Sequence, residues 1–225
     1  MGIKDMFEKY SGGSSTFFSL KNDGDTALVR FLYRGEDDLQ KDLVVVHEVD
    51  IDNSKRKVEC LQPKGQDCPL CDAKIPNRAR LFLQLIDYED GEQLKVWERG
   101  KRFVPEILGY IMSFEPIYTT VAQVTRYGKK GDTQTSYKLN GLPNDERSIK
   151  DTEESAQKFF EMKTDVKGSN NMVISRPYED LKEIANGTFT LKNETGNKNP
   201  ISQNKNSTSP TTASTNKSND PKSVF

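Results

Sequence analysis

The only histidine of the chain and all three of its cysteines fall within residues 47–71, in the order His-x12-Cys-x7-Cys-x2-Cys. One imidazole and three thiols are a complete tetrahedral ligand set for Zn²⁺, and a Cys-x-x-Cys pair grips a metal from a tight turn. Pro69, inside that pair, suits a knuckle better than a helix interior. His47, Cys60, Cys68 and Cys71 are therefore expected to form one closed, structural zinc site. Whatever the chain folds into must bring these segments together.

Other uses of the same residues fit less well. Three cysteines is an odd number, and no secretory apolar segment opens the sequence, so a disulfide framework is a poor match. A redox Cys-x-x-Cys would leave Cys60 and His47 idle. Zinc nucleobase deaminases use His-x-Glu followed by Pro-Cys-x-x-Cys, with a position left open for water. Here Glu48 directly follows His47, the proline lies inside the pair, and Cys60 can fill the fourth position. Reduced thiols holding a metal point to a cytosolic compartment.

Only 33% of the residues are hydrophobic, and the mean hydropathy is −0.77. The polarity is concentrated from Leu191 onward, where Asn, Ser, Thr and Lys dominate; this tail (residues 191–225) is expected to be disordered, because it cannot bury enough apolar surface to offset ordering. No apolar run approaches bilayer-spanning length. A net charge of −1 does not mark a nucleic-acid binder. The charges are unevenly placed, however. Lys95, Arg99, Lys101 and Arg102 face only Glu98, and Arg126, Lys129, Lys130 and Lys138 face only Asp132 nearby. Acid gathers between Asp145 and Glu161.

Residues 1–20 read as an arm with a short amphipathic piece and a Gly/Ser hinge. Strand-like runs follow at residues 26–33, 43–51, 80–88 and 93–99, the last two joined by a turn centred on Asp90-Gly91. Residues 103–114 have helical spacing, with Pro105 early enough to be tolerated. A second hairpin spans residues 121–127 and 133–139, and helical patterns return at 152–162 and 178–185. The expected fold is mainly β: a small antiparallel barrel like the oligonucleotide-binding (OB) fold over residues 21–190. It would carry an inserted zinc loop at about residues 47–76 and a few short helices. A zinc ribbon with a β-meander is the alternative.

Cations and aromatic rings interleave on these strands. Arg30, Tyr33 and Arg34 lie on the first; Lys95, Trp97 and Arg99 share one face of another, with Lys101 and Arg102 just beyond. Arg126, Tyr127, Lys129, Lys130, Tyr137 and Lys138 repeat the pairing on the second hairpin. Single-stranded nucleic acid needs both groups side by side, cations for phosphates and flat rings for unstacked bases. A strand aromatic is more often core, and Phe31 with one of Trp97 or Tyr88 suits that role. Trp97, Arg99, Tyr127 and Tyr137 are expected to be exposed, and the chain is expected not to be an enzyme.

The zinc spacing, the segment Leu94-Lys-Val-Trp-Glu-Arg-Gly-Lys-Arg-Phe103 and the placement of the zinc loop ahead of it resemble the zinc-containing single-stranded-DNA-binding, or helix-destabilising, proteins of tailed bacteriophages. The resemblance covers roughly residues 26–138. It implies an OB core whose basic, aromatic-lined cleft holds single-stranded DNA without strong sequence preference during phage replication, recombination and repair in the bacterial host cell. It also implies an N-terminal arm for self-association along DNA and a C-terminal tail that recruits replication and recombination proteins. In this chain the opening Lys4-Asp5-Met6-Phe7-Glu8-Lys9 is balanced in charge, and the tail carries five lysines against two carboxylates. Its last residues, Val224 and Phe225, are the expected partner-docking pair.

Overall fold

The computed structural model describes residues 16–167 and 172–190. The seven strands β1 (Thr26–Phe31), β2 (Leu43–Ile51), β3 (Ser54–Glu59), β4 (Asn77–Asp87), β5 (Gln93–Arg99), β6 (Val121–Tyr127) and β7 (Ser136–Leu142) form one sheet. Every pairing between them is antiparallel. The short helices are α1 (Glu36–Gln40), α2 (Pro69–Asp72), α3 (Val104–Phe114), α4 (Glu153–Glu161) and α5 (Tyr178–Ala185).

β4 organises the sheet because it is the longest strand and serves three partners. Residues 81–87 pair with β5 along one edge. On the other edge, residues 77–81 pair with β2 and residues 85–87 with β1. β1 continues to β6, and β6 to β7. Among the described residues β7 bonds only β6 and β3 only β2, so hydrogen bonding leaves the expected barrel open. The outer edges of β5 and β3 are covered, which protects them from pairing with other chains. Backbone from residues 16–18 bonds Val96 on β5, and Ile174 bonds Lys57 and Glu59 on β3.

Sequence periodicity misses β3, since Ser-Lys-Arg-Lys-Val-Glu carries little apolar pattern. Its strand geometry comes from a two-residue turn at Asp52 and Asn53, both left-handed (φ 51° and 60°), which folds it back onto β2. The polar segment after Gly35 contains α1, and β7 begins and ends three residues later than its pattern suggests. α4 starts at a reciprocal cap in which Thr152 and Ser155 each bond the other's backbone N–H.

The alternation of β4 splits the core. Leu81, Leu83 and Leu85 face a large cluster with Val29, Phe31, Trp97 and, from α3, Ile107, Tyr110 and Ile111. Phe82 and Ile86 face the opposite side, covered by Val166, Val173, Ala156 and Phe159. A separate cluster of Val49, Val58, Leu61, Leu70, Ile174, Leu181 and Ile184 lies beneath the cysteines. Of the expected arm, Phe18 is core and meets Trp97 edge to face. The rest of the arm expectation (residues 1–15) and the whole tail lie outside the described residues.

Candidate metal centre and basic groove

His47 sits in β2 between the neighbouring strands β3 and β4, and its ring is fully buried. Cys60 follows directly on β3 and is tied back by its N–H to the Val45 carbonyl at 2.8 Å. Cys68 caps α2, with Pro69 at the first helical position, where its missing N–H costs nothing. The following backbone N–H groups of Asp72, Ala73, Lys74 and Ile75 close the knuckle. The four ligand atoms lie within 4.8 Å of one another and can hold one metal ion.

The distances suit tetrahedral coordination. His47 Nε2 is 3.6 Å from Cys68 Sγ and 3.5 Å from Cys71 Sγ, and the Cys60 and Cys71 sulfurs are 3.6 Å apart. Metal–sulfur bonds of about 2.3 Å and metal–nitrogen bonds of about 2.0 Å give tetrahedral edges of roughly 3.5–3.8 Å. His47 Nδ1 lies 2.9 Å from the Ile75 carbonyl, an acceptor that fixes the proton there and leaves Nε2 free to ligate. Asn77 Nδ2 approaches the sulfurs of Cys60 and Cys71 at 3.8 and 3.6 Å.

Electrostatics also call for a cation. Burial would raise the Cys68 thiol, but the N–H groups of Leu61, Cys71 and Leu70 aimed at it outweigh that and bring it below its ordinary value. Cys71, partly buried and beside two other sulfurs, is pushed up to about 12. Burial lowers His47. Such a cluster cannot be fully ionised unless a positive charge sits in it. Glu48 points to the other face of β2, as alternation requires, and bonds Arg80 at 3.4 Å. It therefore lies away from the ligands, unlike the carboxylate of the deaminase arrangement.

A groove of about 1030 Å³ runs between the start of β4, the end of β5, the first turn of α3 and the β6–β7 loop. Its lining includes Arg78, Arg80, Arg99, Lys101, Arg102 and Lys138, opposed by Glu98 and Glu106. Phe103 and Tyr137 supply rings. Arg80 pairs with Glu98 at 3.4 Å and Lys138 with Glu106 at 3.0 Å. Arg78, Arg99, Lys101 and Arg102 make no ion pair among the described residues, and Arg102 instead donates to the Thr133 carbonyl at 2.7 Å. The Arg99 guanidinium lies over the Trp97 ring (4.8 Å) and the Tyr137 ring (4.5 Å), and burial lowers its pKa.

The structure thus brings Arg99, Lys101, Arg102, Tyr137 and Lys138 together and separates the other sequence candidates. Trp97, expected to be exposed, is 1% exposed, wedged edge-on against Phe18, Phe103 and Tyr137. Arg30 is buried, donating to the Tyr88 hydroxyl and to the carbonyls of Tyr118 and Arg147. Tyr33 is buried with its hydroxyl on Asp42 at 2.7 Å, and Lys95 is held by Asp87 (2.8 Å) and Asp90 (2.6 Å). Arg126 is buried across the second hairpin, bonding the carbonyls of Leu20, Gly128 and Lys129 and the hydroxyls of Tyr137 and Thr135. In each case a buried cation or hydroxyl spends its donors inside the fold, as desolvation demands.

Arg34 pairs with Asp151 over the rings of Tyr118 and Phe160, in a second hollow with Glu36, Asp37 and Asp38. Tyr127, Lys129 and Lys130 are exposed but do not line the groove. Sequence reading missed Arg78 and Arg80. The alternation Arg78-Ala79-Arg80 at the polar start of β4 was the signal, masked because the apolar pattern starts only at Leu81.

Comparisons with protein-family models and with curated protein sequences return no match. Among the described residues, no helix is long and apolar enough to cross a membrane.

Proposed function

We infer that this chain is a non-enzymatic protein that binds single-stranded DNA in the groove, largely without sequence preference, and that the metal is one structural Zn²⁺. The observation that carries the reading is Arg99: a half-buried guanidinium, stacked on two rings at the groove, with no carboxylate in contact among the described residues; its Nε donates to the Glu98 carbonyl, and the Glu98 carboxylate acts on it only from beyond ion-pair distance. A desolvated cation with no carboxylate in contact is costly, and a phosphate supplies a counter-charge. The three other cations lacking ion pairs, Arg78, Lys101 and Arg102, extend that preference along a strand. Unpaired bases can reach the Tyr137 ring, whereas bases within a duplex stay stacked on one another. Binding of this kind is stoichiometric and shifts melting toward single strands by mass action.

Zinc fits the donor set, because three thiolates and an imidazole in a closed tetrahedron suit a borderline-soft ion without geometric preference. Its part is to hold β2, β3 and the knuckle together beside the groove, since Asn77 both touches the sulfurs and starts the groove-lining stretch of β4. The resemblance to phage helix-destabilising proteins adds replication, recombination and repair as the setting. It also adds Val224 and Phe225 of the tail as a site for partner proteins.

The test is anisotropy of a labelled oligo-dT strand against a duplex of equal length at the same salt, with wild type and Arg99→Ala. Preference for the single strand, lost in the variant, is the expected result. With about four unpaired cations engaged, log K should fall against log salt with a slope near −3. Indifference to both oligonucleotides would turn the reading toward a protein-interaction module scaffolded by the metal. Elemental analysis should return one zinc per chain. Deleting Val224 and Phe225 should abolish capture of replication proteins, and unchanged capture would remove that role.

A further inference from the structure

The groove holds its own anions. Glu98 of β5 bonds Lys57 at 2.9 Å and Arg80 at 3.4 Å, and Glu106 in the first turn of α3 bonds Lys138 at 3.0 Å. Both residues line the groove, with side chains about one-fifth exposed, and so keep their charge close to any ligand in it. They occupy two of the six cations that line it, on opposite walls. We propose that Glu98 and Glu106 act as built-in competitors of the bound strand, holding Arg80 and Lys138 in the free protein and repelling phosphates in the complex. The proposal rests on the groove being the single-strand site.

The physical consequence is a limit on affinity and on its salt dependence. A strand that draws Lys138 onto a phosphate must leave Glu106 without its partner, one that draws Arg80 leaves Glu98 to Lys57 alone, and the net positive charge that the strand meets is smaller than the number of cations suggests. Phosphates are neutralised by net charge, so fewer counterions leave the strand on binding. Dissociation is correspondingly fast. That property suits a protein whose strand must be handed on to other proteins, where tight capture would block them.

Glutamine at these positions changes charge and little else. In Glu106→Gln the amide oxygen can still accept the Leu139 N–H, which Glu106 now accepts at 2.8 Å. Oligo-dT affinity would be measured from low to moderate salt for wild type, E98Q, E106Q, the double variant and the charge-preserving E106D. Each Gln variant should bind about threefold tighter, the effect of one unit charge roughly 6–7 Å from a phosphate at near-aqueous dielectric. Its salt slope should steepen by about 0.7. E106D should match wild type in slope. A purely structural role predicts the opposite sign, weaker binding with an unchanged slope. Wild type that binds while E98Q and E106Q bind equally or more weakly would overturn the proposal and leave the groove standing. Wild type that binds no strand at any salt would overturn both. Because the two carboxylates lie on different elements, one variant that fails to fold leaves the other to decide.

Discussion

The metal side and the groove side of this molecule stabilise themselves by different means. On the metal side the apolar cluster beneath the cysteines is built of medium aliphatic side chains, and three of its members or neighbours are the ligating cysteines themselves. Such a core is too small to be secure alone, and a cross-link through a metal held by the four ligands would compensate. On the groove side the core is large and aromatic, with Trp97 meeting three other rings. There the ties are buried charges: Arg126 across the second hairpin, Lys95 between two aspartates, and Arg30 joining β1 to backbone near residues 118 and 147. A metal needs ligands at set spacings and so leaves a local mark in sequence. A buried salt bridge or guanidinium tie needs only a partner somewhere in the fold, and leaves none.

The largest expected effect breaks the metal side alone. Cys68→Ser, or removal of the metal, should cost several kcal/mol, because structural zinc in small domains supplies about 10–16 kcal/mol of binding free energy. Hydrogen exchange should then show lost protection in residues 43–60 and 174–185, with β1, β5 and α3 retained. Loss spread evenly across the sheet would show that the two regions are one cooperative unit. The converse cut is Trp97→Ala, which should cost about 3–5 kcal/mol by opening the aromatic core. Metal content should stay at one per chain, and a metal-depleted variant would mean that the groove side supports the ligands.

The metal ligands were legible because each names its own chemistry: His47, Cys60, Cys68 and Cys71 converge as their spacing suggests. Most strands and α3 were legible from period and turn residues. β3 was not, since Lys55, Arg56 and Lys57 hide a strand whose course is set by the Asp52-Asn53 turn and by Ile174 arriving from more than a hundred residues away. α5 was visible as a helix, but not its packing against the metal-side core. The nucleic-acid candidates failed most where burial decides. Lys95, Trp97 and Arg99 alternate on one face, yet Lys95 meets Asp87 and Asp90, Trp97 turns into the core, and only Arg99 reaches the groove. Sequence alternation gives a face but not whether that face looks in or out.

Lys95→Met separates those roles within one strand. Breaking a nearly buried pair should cost about 2–3 kcal/mol, below the 3–5 kcal/mol of a fully buried one because Asp90 is half exposed. Oligonucleotide affinity should stay within about twofold of wild type once folding is matched, a change worth only ~0.4 kcal/mol. A tenfold loss of binding without loss of stability would return Lys95 to the contact surface.

The smallest effect concerns acid. Asp145 accepts from the Arg147 side chain at two oxygens (both 2.7 Å) and from its backbone N–H, and those bonds hold its carboxyl down to about 2. The pair fixes the turn whose Arg147 carbonyl receives Arg30. A carboxyl whose folded pKa is depressed binds fewer protons than in the unfolded chain, so its stabilisation is fully present above about pH 4 and is lost as the pH falls toward 2. The pair lies near the surface, so the contribution is at most about 1 kcal/mol. Wild type and Asp145→Asn should therefore differ in urea midpoint at pH 6 and converge near pH 2. A difference that persists at pH 2 would show that the turn depends on the shape of Asp145, not its charge, and that the groove side's ties are packing after all.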